Sequence, residues 1–193
     1  MDMKQTMKLQ RITIDKYYTN PTTVDLCIEY IKKYIYMNDC DVIIEPNASD
    51  GAFIDGIKSL TYNQLFYDIE PSNEKIIRMN FLELDIRVSG LYGTENKIHI
   101  VGKPPFGNRA SLAIRFIKKA CEFANTISFI LPKNFKKDSR LLKRVPFNFH
   151  CIFEIDLPDN SLHFNGIVYN VPCIFQIWVK KSYNRETMNT DTI

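Results

Sequence analysis

Apolar positions along this chain follow two spacings, one typical of amphipathic helices and the other of buried strands. Residues 24–36 and 111–124 repeat apolar side chains every three or four positions, which predicts a helix in each segment, and residues 52–60 could form another. Short apolar runs bounded by polar residues or proline predict strands. These runs lie at residues 41–45, 64–68, 98–102, 126–131, 151–157 and 171–179.

Strands that alternate with helices predict an α/β domain with a mostly parallel sheet. No helical pattern separates the last two predicted strands, so we expect them to form an antiparallel pair at one edge. The sequence contains no internal repeat and no linker-like segment. We therefore expect a single domain over residues 1–183, followed by a polar tail at 184–193.

Composition narrows the class of protein. The chain has 193 residues, of which 45% are hydrophobic, so it is large enough to fold around its own core without a disulfide or a structural metal. No apolar run approaches the roughly 20 residues that span a bilayer, and the first residues lack the apolar segment of a secretion signal. The five cysteines are scattered, without a Cys-x-x-Cys pair. These features predict a cytoplasmic protein in a reducing compartment, with no membrane contact and no metal site.

Charge is informative in its distribution rather than in its total. The net charge is only +3, but residues 133–144 carry six cations and one acid. Such a cluster can neutralise phosphates, although a solvated helix or loop face has the same composition. The candidate nucleic-acid contacts are Lys133, Lys136, Lys137 and Arg140.

Acidic residues follow two neighbouring predicted strands. Glu45 and Asp50 flank the loop after one strand, and Asp68 ends the next. In open α/β sheets, ligands bind beyond the carboxyl ends of the strands. The loop lacks a G-x-G-x-x-G pattern, which disfavours a dinucleotide phosphate, whereas its acids suit a cationic amine and Asp68 could accept hydrogen bonds from a ribose. The order of these acids favours a nucleoside ligand.

Several segments resemble, in order, the motifs of S-adenosylmethionine-dependent methyltransferases, particularly the group that methylates N6 of adenine in nucleic acids. The matching segments are Asp-Lys-Tyr-Tyr-Thr-Asn-Pro at 15–21, Glu-Pro-Asn-Ala-Ser-Asp-Gly-Ala-Phe at 45–53, Asn-Phe-Leu at 80–82 and Gly-Lys-Pro-Pro-Phe-Gly at 102–107. The resemblance covers roughly residues 15–180. It is to the phage- and large-virus-type members, and more distantly to the cap-adenosine methyltransferases.

The resemblance implies a Rossmann-like class I methyltransferase fold, with a seven-stranded, mostly parallel sheet and an antiparallel edge. It implies S-adenosylmethionine as cofactor and DNA or RNA as substrate, with specificity supplied by loops, by the basic segment or by a protein partner. The catalytic loop would consist of Lys103, Pro104, Pro105 and Phe106. The cofactor-binding residues would be Tyr18, Thr19, Glu45, Asn47, Asp50, Ala52, Phe53, Asp68, Asn80 and Phe81.

Two residues depart from the family pattern. Ser49 stands where the family usually has glycine, and Lys103 stands where it has the catalytic Asn or Asp. In the family that side-chain oxygen accepts a hydrogen bond from the target amine, whereas a lysine ammonium has three donors and no acceptor. Three functions stay open: an adenine methyltransferase, a catalytically impaired protein that binds nucleic acid or regulates a partner, and an enzyme for another acceptor, such as a ribose hydroxyl, with Lys103 as base.

Overall fold

The computed structural model describes residues 17–91, 95–137, 139–164 and 166–186. The helices in these ranges are α1 (Pro21–Tyr34), α2 (Ile54–Lys58), α3 (Ser111–Cys121), α4 (Asn134–Lys137) and α5 (Ser139–Leu142), with 3₁₀ turns at Phe81–Glu83 and Asn108–Ala110. The strands are β1 (Tyr18–Thr19), β2 (Val42–Glu45), β3 (Asn63–Asp68), β4 (Ile77–Arg78), β5 (Ile98–Gly102), β6 (Thr126–Pro132), β7 (Phe149–Asp156), β8 (Leu162–Phe164), β9 (Ile167–Tyr169) and β10 (Cys173–Lys180).

A seven-stranded sheet forms the centre of the molecule, in the order β4-β3-β2-β5-β6-β10-β7. The five strands from β4 to β6 are mutually parallel, and β10 runs antiparallel to both β6 and β7. The predicted mostly parallel sheet with an antiparallel edge is therefore confirmed. The chain places β10 inside that edge and leaves β7 outermost.

The core lies on both faces of this sheet. Alternate side chains of a strand point to opposite faces, and Ile43 and Ile44 of β2 accordingly join different clusters. The Ile43 cluster is covered by α1, which buries its apolar stripe there. The Ile44 cluster is covered by α3, which buries six residues that include Phe116 and Ile117. Both helical patterns seen in the sequence thus reflect faces packed on the sheet.

Several boundaries differ from the sequence-based expectations. Helix α1 begins at Pro21, because proline suits the first helical turn, and α2 spans five residues rather than the predicted nine. The segment between the last two predicted strands contains β8 and β9, which join β1 in a second, three-stranded sheet. Strands of three residues are too short to show a recognisable alternation. Among the described helices, none has the length and apolar character to cross a membrane.

The described part of the predicted polar tail is anchored by Arg185. Its guanidinium donates hydrogen bonds to four backbone carbonyls, those of Leu142 (2.7 Å), Val145 (2.8 Å), Pro146 (2.8 Å) and Phe149. These carbonyls follow or end α5, where helix C-terminal acceptors lack partners within the helix. Packed structure therefore continues at least to residue 185.

A buried polar network lies at the opposite end of the sheet from the strand ends described below. His99 on β5 contacts Thr126 Oγ1 through Nδ1 at 2.8 Å and Asp41 Oδ2 through Nε2 at 3.3 Å. Burial lowers the pKa of His99, and Asp41 only partly offsets that effect. A neutral imidazole can donate to Asp41 and accept from Thr126, so both contacts are satisfied without a charge on the ring.

This network predicts a loss of stability in mild acid. The folded pKa of His99 lies below its ordinary value of 6.5, so the unfolded chain takes up a proton first as the pH falls. The contribution to stability is complete above the unfolded pKa and is lost as the pH drops from about 7 toward the folded value. Urea unfolding at pH 7.5 and pH 5.0 measures this loss. In His99→Gln the loss between the two pH values should shrink; an unchanged loss would assign it to other groups.

Candidate cofactor and active site

The candidate site lies where three adjacent parallel strands end at one edge of the sheet. Glu45 ends β2, Asp68 ends β3 and Gly102 ends β5. In the sheet, β3 and β4 lie on one side of β2, whereas β5 and β6 lie on the other side. The strand order therefore reverses direction between β2 and β5, which is the topological switch point of the sheet. Ligands of open α/β sheets bind in the crevice at such a point.

Asp68 holds the loop after β2 in place. Its carboxylate is buried, with Oδ2 accepting the Ser49 N–H at 2.8 Å and Oδ1 accepting the Glu70 N–H at 2.8 Å. Ser49 has a φ of 53°, in the left-handed region that favours glycine. The backbone at residue 49 therefore has the left-handed conformation that suits the family's glycine, and Ser49 adopts this conformation despite its side chain. Each carboxylate oxygen of Asp68 keeps a further lone pair for a ligand hydroxyl.

Glu45 is a buried acid with an unused acceptor. It is 2% exposed, and its Oε2 has no hydrogen-bond partner among the described residues. Burial raises its pKa well above the usual range, as do the nearby charges of Asp50 and Asp68, whereas Lys103 acts to lower it. Gly102, at φ 141°, allows this packing, since a Cβ there would lie 3.1 Å from Glu45 Cγ. A buried oxygen of this kind is suited to a donor from a bound molecule.

Lys103 directly follows β5 and is also buried, at 8% exposure. Its Nζ lies 5.3 Å from the centre of the Phe106 ring, within cation–π range. Burial raises the pKa of Cys173 to about 11, and the charge of Lys103 opposes that rise. The Asn47 amide nitrogen is 3.5 Å from the Lys103 carbonyl oxygen, a long contact between the two loops. The structure thus brings the β2 loop and the Lys103 loop together.

The rest of the Lys103 loop leads into α3. Pro104 is buried, while Pro105 and Phe106 are partly exposed. The Phe106 carbonyl accepts the N–H of Leu112 at 3.3 Å, which ties the loop to the start of α3. Gly107 has a φ of 66°, and a Cβ there would lie 2.7 Å from Leu112 Cβ, so only glycine fits without movement. Phe106 is thereby held at the rim with one part of its ring accessible.

Asp50 and Ala52 line a cavity of about 360 Å³ between the β2 loop and the first turns of α1. Asp50 Oδ1 accepts the Ala52 N–H at 3.3 Å. Pro21 lies in the same cavity wall, so the start of α1 is adjacent to this loop. Asp15 and Lys16, the first two residues of the matching N-terminal segment, lie outside the described residues.

Tyr18 and Thr19 form β1 and pair with β8 rather than with the large sheet. The Tyr18 ring is parallel to that of Phe164, with centroids 6.5 Å apart, and Thr19 is buried. The next residue, Asn20, donates its backbone N–H to the Ser161 carbonyl at 2.9 Å. These contacts place an aromatic cluster beside the start of α1, which the sequence pattern did not reveal.

Three other predicted cofactor residues have structural partners of their own. Asn80 caps the 3₁₀ turn that follows it, accepting the Leu82 N–H and donating to Glu83. Phe81 is 1% exposed and stacks on Phe116 inside the core, and Phe53 is 2% exposed in the opposite cluster. The two phenylalanine side chains are therefore core residues, and at these positions the backbone is what a ligand could reach.

The basic segment lies after β6, next to acids from β7. Lys133 Nζ is 3.5 Å from Asp156 Oδ2, and Lys136 Nζ is 3.2 Å from the same oxygen and 3.9 Å from Glu154 Oε1. The side chains of Lys137 and Arg140 lie outside the described ones. Phosphate binding by the two described lysines would require them to exchange these carboxylates for phosphate oxygens. No sequence pattern links β7 to residues 133 and 136, so this pairing could not be predicted.

The described residues contain no group of three His, Cys, Asp or Glu side chains that could hold a metal ion. Cys27, Cys121 and Cys173 are buried free thiols, whereas Cys40 and Cys151 are exposed. Burial raises the pKa of Cys121 to about 12, which keeps that thiol protonated and unreactive.

Comparison with known proteins supports the fold. The sequence matches no family model and no curated protein. Among solved structures, a protein of Pyrococcus horikoshii, provisionally described as an RNA methyltransferase, has a TM-score of 0.65 at 10% identity over 86% of each chain. The 23S rRNA methyltransferase ErmE has a TM-score of 0.62 at 11% identity, over 88% of this chain and 71% of that one. The N-methyltransferase NodS of Bradyrhizobium japonicum has a TM-score of 0.53 at 8% identity, over 83% and 94%.

At these identities the likeness establishes the fold and nothing finer. The chain has the Rossmann-like α/β fold of the class I methyltransferases, with the seven-stranded sheet and antiparallel edge expected from the sequence.

Proposed function

We propose that this protein is an S-adenosylmethionine-dependent methyltransferase that acts on nucleic acid. The observation that carries the proposal is the convergence of Glu45, Asp68 and the Lys103 loop at the switch point of a methyltransferase sheet. Two of the similar structures are described as RNA methyltransferases, which supports a nucleic-acid substrate.

The residues at the strand ends fit the cofactor chemically. Asp68 has acceptor capacity left for ribose hydroxyls, and the unpartnered Oε2 of Glu45 suits the ammonium group of the methionyl part. The bound cofactor would supply an electrophilic methyl group. The β2 loop and the start of α1 would enclose it, with Asp50 and Ala52 on that side.

The finer proposal is that adenine N6 is the acceptor, in DNA or RNA. The Lys103–Phe106 loop lies at the end of β5, beside the β2 loop, and in this proposal the acceptor would approach the methyl group there. In this arrangement Phe106 would stack on an extruded base, and backbone carbonyls of the loop would accept hydrogen bonds from the amine. Positioning and electrostatics would supply the catalysis, without a covalent enzyme intermediate.

Burial of Lys103 supports a second candidate function. Lys103 is buried, and in its protonated form it would offer donors and no acceptor to a target amine beside it. A methyltransferase-fold protein with that residue would be catalytically impaired, and would bind nucleic acid or serve a partner as a regulatory subunit.

Tritiated-methyl transfer over DNA, RNA and capped RNA discriminates between these functions. Label at adenine N6 would support the main proposal. Label at a ribose hydroxyl would show that the protein is a methyltransferase whose acceptor is the ribose rather than adenine. No incorporation into any substrate, together with nucleic-acid binding by the same protein, would support the impaired form and contradict the enzyme.

Replacing Asp68 tests the cofactor position. In Asp68→Ala the loss of a charge-assisted hydrogen bond, about 1.5–3 kcal/mol, should weaken cofactor binding by roughly 10- to 150-fold. Calorimetry with S-adenosylhomocysteine measures it, and Asp39→Ala, which changes an exposed acid in the turn before β2, is the matched control. If Asp68→Ala and wild type bound S-adenosylhomocysteine with equal affinity, Asp68 would not contact the ribose.

The basic segment is tested by the salt dependence of nucleic-acid binding. Alanine at Lys133, Lys136, Lys137 and Arg140 together should reduce the slope of log K against log salt by roughly 0.7–0.9 for each phosphate that the variant no longer neutralises. A variant with alanine at Lys32 and Lys33, in the last turn of α1, should keep the wild-type slope. If the quadruple variant also kept it, the segment would be a solvated face.

A further inference from the structure

Two lysines of the basic segment are joined to the end of β7 by ion pairs. Asp156 Oδ2 lies 3.5 Å from Lys133 Nζ and 3.2 Å from Lys136 Nζ. Glu154 Oε1 lies 3.9 Å from Lys136 Nζ. The hydrogen bond from Lys136, together with the charges of both lysines, lowers the pKa of Asp156, so its carboxylate is ionised at neutral pH. Two positive and two negative charges therefore neutralise one another in this lysine–carboxylate network.

A buried amide fixes the orientation of Glu154. Gln176 on β10 lies opposite Glu154 in the pairing with β7, and its Nε2 donates to Glu154 Oε2 at 2.7 Å. Its Oε1 accepts the indole N–H of Trp178 at 3.1 Å. Because that N–H can only donate, the amide oxygen of Gln176 must face Trp178 and the amide nitrogen must face Glu154. Two buried side chains therefore hold the Glu154 carboxylate in place.

The lysine–carboxylate network lies at the same edge of the sheet as the candidate active site. Strand β6 is parallel to β5, and β7 runs in the same direction because β10 is antiparallel to both β6 and β7. Asp156 ends β7 and Lys133 directly follows β6, just as Lys103 directly follows β5. Neighbouring strands lie about 4.8 Å apart, so a nucleic acid at the Lys103 loop could reach the network with the next part of its backbone.

We infer that Glu154 and Asp156 are an internal competitor of nucleic-acid phosphates, so that a nucleic acid binds the described lysines of the basic segment only by opening the lysine–carboxylate network. The inference rests on the proposed nucleic-acid substrate and concerns the regulation of its binding. A phosphate that pairs with either lysine must displace a carboxylate, and the displaced carboxylate then repels that phosphate. The hydrogen bond from Gln176 strengthens the competition, because it keeps the charge of Glu154 beside the segment.

Such competition weakens the binding of nucleic acid to this surface. Opening the network breaks the internal ion pairs, and those pairs form again when the strand dissociates. Differences in affinity among variants of one interface arise mostly from the rate of dissociation. The two acids are therefore expected to speed the release of a bound strand.

Fluorescence anisotropy with a labelled thymidylate strand tests the inference in wild type and in the double variant Glu154→Gln/Asp156→Asn. A strand of about 20 thymidylates has phosphates but no adenine, so its binding does not depend on the proposed acceptor. The two substitutions remove charge and preserve size, and the amide introduced by Glu154→Gln can still accept from Gln176. We expect the double variant to bind the strand about 5- to 30-fold more tightly at low salt. The slope of log K against log salt should steepen by roughly 0.7 for each lysine that is set free.

Two controls separate this competition from a general change in charge. Asp159→Asn removes an exposed acid in the turn after β7, outside the network, and should change the affinity by less than about twofold. In a protein that carries Lys133→Met and Lys136→Met, the substitutions of the double variant should also change the affinity by less than about twofold. The gain in binding thus requires the two lysines.

The outcomes separate this inference from the proposed function. If wild type binds nucleic acid and the double variant binds thymidylate no more tightly than wild type does, the inference is overturned and a nucleic-acid substrate still stands. An equal gain in Asp159→Asn, or a gain that persists without the two lysines, would overturn it in the same way. Failure of both wild type and the double variant to bind thymidylate, adenylate or duplex strands would overturn the inference together with the proposed nucleic-acid substrate.

Discussion

Lys103→Asn is expected to raise adenine methylation by about 100- to 1,000-fold, the range by which single preorganised electrostatic contacts change rates in other enzymes. The substitution replaces a buried lysine, whose protonated form has no acceptor, with an amide whose oxygen can accept a hydrogen bond from the target amine. It also removes a positive charge beside a nitrogen that becomes positive during transfer. Methyl incorporation at saturating cofactor, measured for both proteins from pH 6 to pH 10 on one substrate, gives the comparison.

Lys103→Met is the matched control for this gain. It removes the charge without providing an acceptor, so its activity should lie between those of wild type and Lys103→Asn. Wild-type activity that is weak but rises steeply with pH would instead indicate a neutral lysine acting as base. High wild-type methylation activity at neutral pH, with Lys103→Asn no faster, would show that residue 103 does not limit the reaction.

Arg185→Ala is expected to lower the free energy of unfolding by about 3 kcal/mol, because several carbonyls lose a charged donor at once. For a chain of this size the loss corresponds to a decrease in Tm of roughly 6–12 °C. The guanidinium also lies over the Trp178 and Phe147 rings, at 5.5 Å and 5.0 Å from their centres, so packing is removed together with the hydrogen bonds. Thermal unfolding followed by circular dichroism measures the change.

Arg87→Ala is the control, since Arg87 forms a surface ion pair with Asp85 at 2.8 Å and is 72% exposed. Such pairs contribute about 0–1 kcal/mol. Arg185→Lys should recover only part of the lost stability, because a lysine ammonium lacks the planar guanidinium fork that reaches four carbonyls at once. An Arg185→Ala protein as stable as Arg87→Ala would show that water replaces the guanidinium at no cost.

Sequence reasoning located the parallel strands and the loops at their ends, because both are encoded locally. Each strand is a short apolar run, and the loop after β2 matches a family segment in which Ser49 stands at a glycine position. The parallel arrangement then fixes which strand ends share an edge. From that alone, Glu45, Asp68 and Lys103 could be expected near one another.

Contacts between distant segments could not be predicted in this way. Nothing local marks Arg185 as the partner of carbonyls some forty residues earlier, or Asp156 as the partner of Lys136. Phe81 follows Asn80 in a segment that resembles a cofactor motif, yet its side chain packs in the core. Motif spacing assigns positions along the chain, whereas the direction of each side chain is set by packing.

A crystal structure of the protein soaked with S-adenosylhomocysteine tests the central claim most directly. We expect density for an adenosine at the carboxyl ends of β2 and β3, with ribose hydroxyls hydrogen-bonded to the Asp68 carboxylate and the ammonium near Glu45 Oε2. The sulfur would face the Lys103 loop. Ligand density away from these strand ends, or an empty crevice in crystals of a protein that binds the ligand in solution, would contradict it.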